Sequence, residues 1–303
     1  MMNANINVDI ILAAHNGAKF IQEQINSLLQ QSHKALRVIV TDDGSEDGTI
    51  DVVNDIMAKD PRVSCHICHD AKGVVENFNN GLQFSDADYI MFCDQDDVWE
   101  NNKVEVMLAE IVQKERRGGD IIPCLGFSNL QVVDENLTTI DEDFYRFSHL
   151  DPRNNLKLNY LLWRSSVYGC TIMMNKTLLN LAGKVPDKIA MHDHWYAFQA
   201  ALSGNVFYVA RSLIKYRQHS ANVVGAHQRG LGARLKRFKK TLKGIQRSVE
   251  SARVMNALLH HQDVNQTLSI GEKFTFLQKN VMPYNHERPA YSTLFSLLWL
   301  IHG

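Results

Sequence analysis

The apolar positions of the first hundred residues follow two alternating rhythms. Val8 to Ala13 is an unbroken apolar run, as expected of a strand buried on both faces. Phe20, Ile21, Ile25, Leu28 and Leu29 then recur at helical spacing. Leu36 to Val40 reads as a second buried strand, and Ile50, Val53 and Ile56 or Met57 mark the inward face of a helix from about Gly48 to Ala58. RVSCHI reads as a third strand leading to a turn at Gly73 and the helical stretch KGVVENFNNGL. Tyr89 to Cys93 is the next strand. Parallel strands joined by helices place their ligand sites at the strands' carboxyl ends. His15–Asn16, Asp42–Asp43 and Asp94–Asp97 all follow such ends.

The last of these is the densest. Asp94, Asp96 and Asp97 lie within four residues, and nothing basic follows until Lys103. Such a cluster suits a hard divalent cation, Mg²⁺ or Mn²⁺, which prefers carboxylate oxygens and substrate phosphate. It equally suits a solvated turn in which Asp97 caps a helix running from Glu100 to Ile111.

Three segments in order, AAHNGAKFIQEQINSLLQQS, VTDDGSEDGT and CDQDDVW, resemble the family 2 glycosyltransferases, nucleotide-sugar enzymes of the GT-A fold. The resemblance returns at YGCTIMMNKTLL, MHDHWYAF and YRQHSANVVG, so it spans most of residues 6–225. DQDDVW and YRQH look most like the bacterial rhamnosyltransferase-like branch. The resemblance implies an α/β fold, a doubly wound mixed sheet with a helical C-terminal appendage. It implies a nucleotide-binding half over 6–100, an acceptor half over 101–225 and a basic helical region over 226–303.

Sugar transfer from a nucleoside diphosphate needs a held nucleoside, a cation on the diphosphate and a base for the acceptor hydroxyl. Ala14, His15, Asn16, Asp42 and Asp43 are the nucleoside candidates; a carboxylate accepts the imide N–H of uracil or thymine, and by resemblance Asp43 makes that contact. The alternative is that Asp43 and Ser45 only form a turn, with Asp47 as a cap. Asp94-Gln95-Asp96 is the resembled family's DxD, with Asp96 on the cation and Asp94 reaching ribose or metal-bound water. His219 stands where this fold often supplies a late metal-binding histidine. Asp193 in MHDHW is the base candidate, the only carboxylate between Asp187 and Glu250, and implies inverting displacement. It could instead cap the helix Trp195–Leu202. Gly169 matches a loop where backbone approaches the donor sugar. Two positions depart from the family pattern: His192 replaces a glutamate and Phe78 an arginine.

The net charge of -1 conceals an asymmetry. Residues 1–193 carry 29 acidic and 17 basic side chains, residues 194–303 only 4 acidic and 15 basic. Within GARLKRFKKTLKGIQRSV, Leu235, Phe238, Leu242, Ile245 and Val249 form one helical stripe among seven basic residues. Such a helix meets an anionic membrane surface or packs on the body with its basic face solvated. No nucleic-acid reader motif accompanies the charge. YSTLFSLLWLIHG is too short to span a bilayer and reads as a docking segment. Five cysteines without framework spacing and no signal-like start lead to an expectation of a cytoplasmic protein, peripheral at most on the inner membrane face. Cys65-x-x-Cys68 lacks the second ligand pair a zinc site needs.

The expected donor is thus a dTDP- or UDP-linked sugar and the acceptor a saccharide or lipid-linked saccharide. A sugar-phosphate nucleotidyltransferase is the competing enzyme class, but AAHNGAKF lacks a glycine-rich basic phosphate loop. A catalytically silent GT-A-like binding protein would have little use for Asp94, Asp96, Asp193 and His219 together.

Overall fold

The structure, a computed structural model, describes residues 6–68, 73–219 and 231–303, with 231–240 given by backbone alone. The first half alternates as its periodicity requires: β1 (Val8–Ala14), α1 (Ile21–Leu29), β2 (Leu36–Asp42), α2 (Thr49–Met57), β3 (Val63–Ile67), α3 (Val74–Leu82) and β4 (Tyr89–Asp94). Then follow a short β5 (Val98–Trp99), α4 (Lys103–Lys114), a two-stranded hairpin of β6 (Arg116–Arg117) and β7 (Asp120–Ile121), the long β8 (Cys124–Val133) and β9 (Thr139–Asp141). The remaining elements are α5 (Phe144–Phe147), α6 (Leu158–Leu161), β10 (Ile172–Asn175), α7 (Lys176–Ala182), α8 (His192–Ser203), β11 (Asn205–Arg217), α9 (Leu231–Leu259), α10 (Ile270–Phe276) and α11 (Pro289–His302).

Nine strands form one mixed sheet in the order β3-β2-β1-β4-β10-β8-β11-β5, with β9 beside β8. The first four are parallel, β10 runs antiparallel to β4 and β8, and β11 is parallel to β8. Register fixes the site: Ala14 pairs with Asp42 and Ala13 with Asp94, so three carboxyl ends form one rim.

Successive side chains of a strand face opposite ways. Phe92 lies against Phe78 of α3 and His192 and Tyr196 of α8, while Cys93 accepts a bond from Gln24 of α1. Helices therefore cover both faces, the doubly wound arrangement. Gly81 permits the closest approach of α3, because a Cβ there would stand 2.4 Å from Ile11 Cγ2.

Two expectations change near β4. The helix after the acidic cluster begins at Lys103, not Glu100. Val98–Trp99 instead pairs with β11, and the Glu100 N–H donates to Leu213 O. Asp97 caps nothing; it is buried, and its Oδ1 accepts the Arg217 N–H at 3.2 Å.

One hydrophobic cluster runs from Val8 through Trp163 to Ile245, Val249, Phe295 and Trp299. The C-terminal helices are fastened by Trp163 against Phe295 and by Glu287, which accepts from Asn154 Nδ2 (2.7 Å) and Tyr160 Oη (2.9 Å). In α9, Ile245 and Val249 face inward while Lys243 and Arg247 are exposed. The side chains of Arg234, Leu235, Lys236, Arg237, Phe238, Lys239 and Lys240 lie outside the described residues, as do residues 220–225 of YRQHSANVVG. No helix among the described residues is long and apolar enough to cross a membrane.

Candidate active site

The rim is built from the β1, β2 and β4 ends and the loops that leave them. Asp42 is completely buried and spends its carboxylate on its own turn, accepting the N–H groups of Gly44 (2.9 Å) and Ser45 (2.7 Å) and the Ser45 hydroxyl. The turn-forming role expected of Asp43 thus falls to its neighbour. Asp43 faces His15, with Oδ1 2.8 Å from Nδ1. The Asn16 N–H donates to Ser45 Oγ (2.7 Å), and Asn16 Oδ1 accepts the Glu46 N–H (2.9 Å). Asn16 holds a left-handed φ of 50°, which asparagine tolerates. Asp47 accepts the N–H of Thr49 at 3.1 Å, but the N-cap of α2 is Gly48, so Asp47 braces the turn before the helix and is not its cap. Ala14 is buried and offers its carbonyl to Asn77 Nδ2 at 3.0 Å.

Gln95 ties the first loop to the last. Its Oε1 accepts the His15 N–H (2.8 Å) while its Nε2 donates to His15 O (2.9 Å). Gly17 leaves room for this amide, since a Cβ would lie 2.2 Å from Gln95 Oε1.

The acidic cluster divides in two. Asp96 is outermost, its Oδ2 2.7 Å from His219 Nε2. Asp94 and Asp97 lie beside Cys170; one ligand atom from each of the three lies within 4.8 Å of the others. Burial, then the charge on Asp96, pushes Asp94 up to about 7 and Asp97 well above the usual range. Asp97 Oδ2 has no hydrogen-bond partner.

Sequence reasoning missed what stands behind these carboxylates. Lys103 is completely buried, donates to Cys170 O and lies 3.1 Å from the centroid of the Trp99 ring. Burial pushes its ammonium down to about 7 against the opposing pull of the acidic groups. The signal was present, because Lys103 shares an i, i+4, i+8 stripe with Met107 and Ile111. Arg217 was also passed over in YRQH. Its guanidinium donates to Asp96 O (2.8 Å), to Glu135 O and to Glu23 Oε2, joining β4 to α1. The cluster is therefore not left to an external cation alone.

Asp193 lies in the first turn of α8, whose N-cap is Met191, so it is not the cap. Its Oδ1 accepts the His194 N–H at 2.6 Å. Burial pushes it up to about 7; the His194 and Gly169 amides oppose the shift and the charge on Asp94 adds to it. Asp193 thus lies near enough to Asp94 for the two carboxyls to repel one another. At Gly169 there is no free space on the Cβ side. A Cβ there would meet His192 Nε2 at 2.4 Å, so the glycine makes room for a protein ring.

Comparison with known proteins identifies the family and the fold. The family model described as glycosyl transferase family 2 matches residues 9–173. An uncharacterized glycosyltransferase of Rickettsia typhi is 26% identical over 216 residues, 71% of this chain and 64% of that relative's length. The dTDP-rhamnosyl transferase RfbG of Shigella flexneri is 26% identical over 275 residues, covering 86% of this chain and 89% of RfbG. Among solved structures, S. aureus TarS 1-349 in complex with UDP-GlcNAc superposes with a TM-score of 0.58 at 13% identity, over 97% of this chain and 90% of that one. The mannosyltransferase PcManGT of Pyrobaculum calidifontis, with GDP-Man and Mn²⁺, gives 0.55 at 14% identity, over 97% and 86%. These likenesses identify the fold as GT-A.

Proposed function

The chain belongs to glycosyl transferase family 2, and from that premise we propose that it moves a sugar from a nucleoside diphosphate to a saccharide or lipid-linked saccharide acceptor. The observation that carries this reading is the convergence of Asp43, Gln95, Asp94–Asp97 and Asp193 on one end of the sheet. Asp43, held by His15, accepts the imide N–H of a pyrimidine base, which favours a dTDP- or UDP-linked donor. RfbG's name supports dTDP-rhamnose as the first donor to try.

The residues fit a divalent cation. Asp97 Oδ2 is a buried oxygen without a partner, and carboxylates are the donors that Mg²⁺ or Mn²⁺ prefers. Asp96, Asp94 and His219 would hold the ion, which when bound supplies Lewis-acid stabilisation of the diphosphate leaving group. His219 and Asp96 are in contact, so the two candidate ligands stand side by side. Asp193 takes the acceptor's hydroxyl proton. The freed oxygen pair forms the bond to the anomeric carbon as the bond to the diphosphate oxygen breaks and its electrons leave with the nucleoside diphosphate. One displacement inverts the anomeric centre. A carboxyl poised near 7 is well matched to that proton transfer.

The test is a panel of UDP-, dTDP- and GDP-sugars assayed for hydrolysis and transfer with Mg²⁺, with Mn²⁺ and in excess EDTA, beside Asp96→Ala. Full turnover in EDTA sinks the cation; no turnover of any donor sinks the activity.

A further inference from the structure

Lys103 is a buried ammonium for which the transfer chemistry has no direct use. It sits on the inward stripe of α4, covered on one side by the Trp99 ring, and donates a hydrogen bond to Cys170 O. Asp94, Asp97 and the Cys93 and Cys170 thiols face it electrostatically. Three of those four, Asp94, Asp97 and Cys170, are the described groups close enough to hold a metal ion. Burying an ammonium is costly, and a methionine of similar length would pack the same stripe without that cost. The ammonium stands beside a buried carboxyl, Asp97, and a half-buried one, Asp94.

We propose that Lys103 is a resident cation for the rear of the acidic cluster: a positioning residue that holds Asp97 and the inner side of Asp94 in place and leaves Asp96, His219 and the outer side of Asp94 to an exchangeable divalent ion. This rests on the metal-dependent reading above. Through the Cys170 carbonyl, Lys103 also grips the turn Gly169–Thr171, whose first amide faces Asp193. One side chain thereby couples the cation end of the site to the base. Loss of its charge makes the rear of the cluster more negative, so an added divalent ion should bind more tightly, not less.

The experiment compares wild type, Lys103→Met and the double variant Asp97→Asn/Lys103→Met by thermal unfolding in EDTA and by calorimetric titration with Mn²⁺ alone. In EDTA, Lys103→Met should melt below wild type, and the double variant should recover most of the loss because the uncompensated carboxylate is gone. Mn²⁺ should bind Lys103→Met about tenfold more tightly than wild type, the order expected when one like charge a few ångströms away is removed. If Lys103→Met matches wild type in both measurements, or the double variant melts no higher than the single one, Lys103 is only filler and the inference falls. If Lys103→Met fails to fold, folding of the double variant supports the inference and its failure overturns it. If Mn²⁺ binds none of the three while the double variant still rescues the single, the resident cation stands and the requirement for a divalent ion falls instead.

Discussion

Phe78 and His192 face one another with ring centroids 4.2 Å apart, so the two positions that the resemblance singled out as departures are in contact. Both are buried, and Phe92 closes over the histidine at 4.8 Å. Neither His192 nitrogen has a hydrogen-bond partner, and burial pushes the ring down to about 3, so it is neutral at physiological pH. The contact makes the two positions a candidate coupled pair. His192→Glu alone should place an unpaired carboxylate against two phenyl rings and destabilise the fold by about 3–5 kcal/mol. Phe78→Arg/His192→Glu should restore much of that, which a double-mutant cycle of thermal unfolding measures. Additive losses would show that the two positions are not coupled.

Asp193 gives a prediction with two readouts of opposite sense. Asp193→Asn should keep donor binding but lose transfer by about a hundredfold or more, the usual worth of a general base. Wild-type turnover should rise with pH and level off above about 7, where Asp193 is ionised. Stability runs the other way. The folded carboxyl titrates above its ordinary value of 3.8, so the stability it contributes is present in acid and lost as pH rises through 7. Asp193→Asn should therefore gain on wild type across pH 4 to 7 and hold that margin above. Equal unfolding temperatures at pH 5 and 8 would place Asp193 in a wetter setting than this.

The Gln95–His15 link offers a test of the nucleoside side. Gly17→Ala drives a methyl into Gln95 Oε1 and should displace the amide that joins the two loops. Overpacking of this kind costs about 1–3 kcal/mol. Spent on loop geometry, that should raise the donor KM roughly tenfold, with little change in kcat. Gln95→Ala in the Gly17→Ala background removes the obstacle and should recover part of the loss. A fall in kcat with KM unchanged would mean that the loops do not report on the donor.

The strands and the rim were legible because buried parallel strands write themselves as continuous apolar runs, and acidic residues at their ends stand out against them. What stayed hidden depended on distant partners. Asp97 looked like a cap because helix caps are local, but its partner is Arg217, 120 positions away. Asp42 and Asp43 are adjacent and chemically alike; only the departure of the chain from β2 decides that the first folds into the turn and the second faces His15. Lys103 was counted as the first basic residue after the cluster, when α4 carries it back underneath.

The C-terminal helix closes the set of predictions. Ile245 and Val249 are packed inward, and Lys243 and Arg247 stand exposed on the same stretch of α9, so this described part of the apolar stripe serves the body and leaves charge for a partner. The sequence upstream adds Arg234, Lys236, Arg237, Lys239 and Lys240. Each basic side chain near an anionic leaflet contributes about 1 kcal/mol, so several together hold a protein reversibly. Charges screened over about 8 Å at physiological ionic strength make such binding sensitive to salt. Cosedimentation with anionic vesicles should be strong at low salt and fall steeply as salt is added. Reversing Lys236, Arg237, Lys239 and Lys240 to Glu should abolish it and leave donor hydrolysis intact, because the catalytic rim is built from other elements. A wild-type protein that ignores anionic vesicles even at low salt would make the basic face a solvated surface and nothing more.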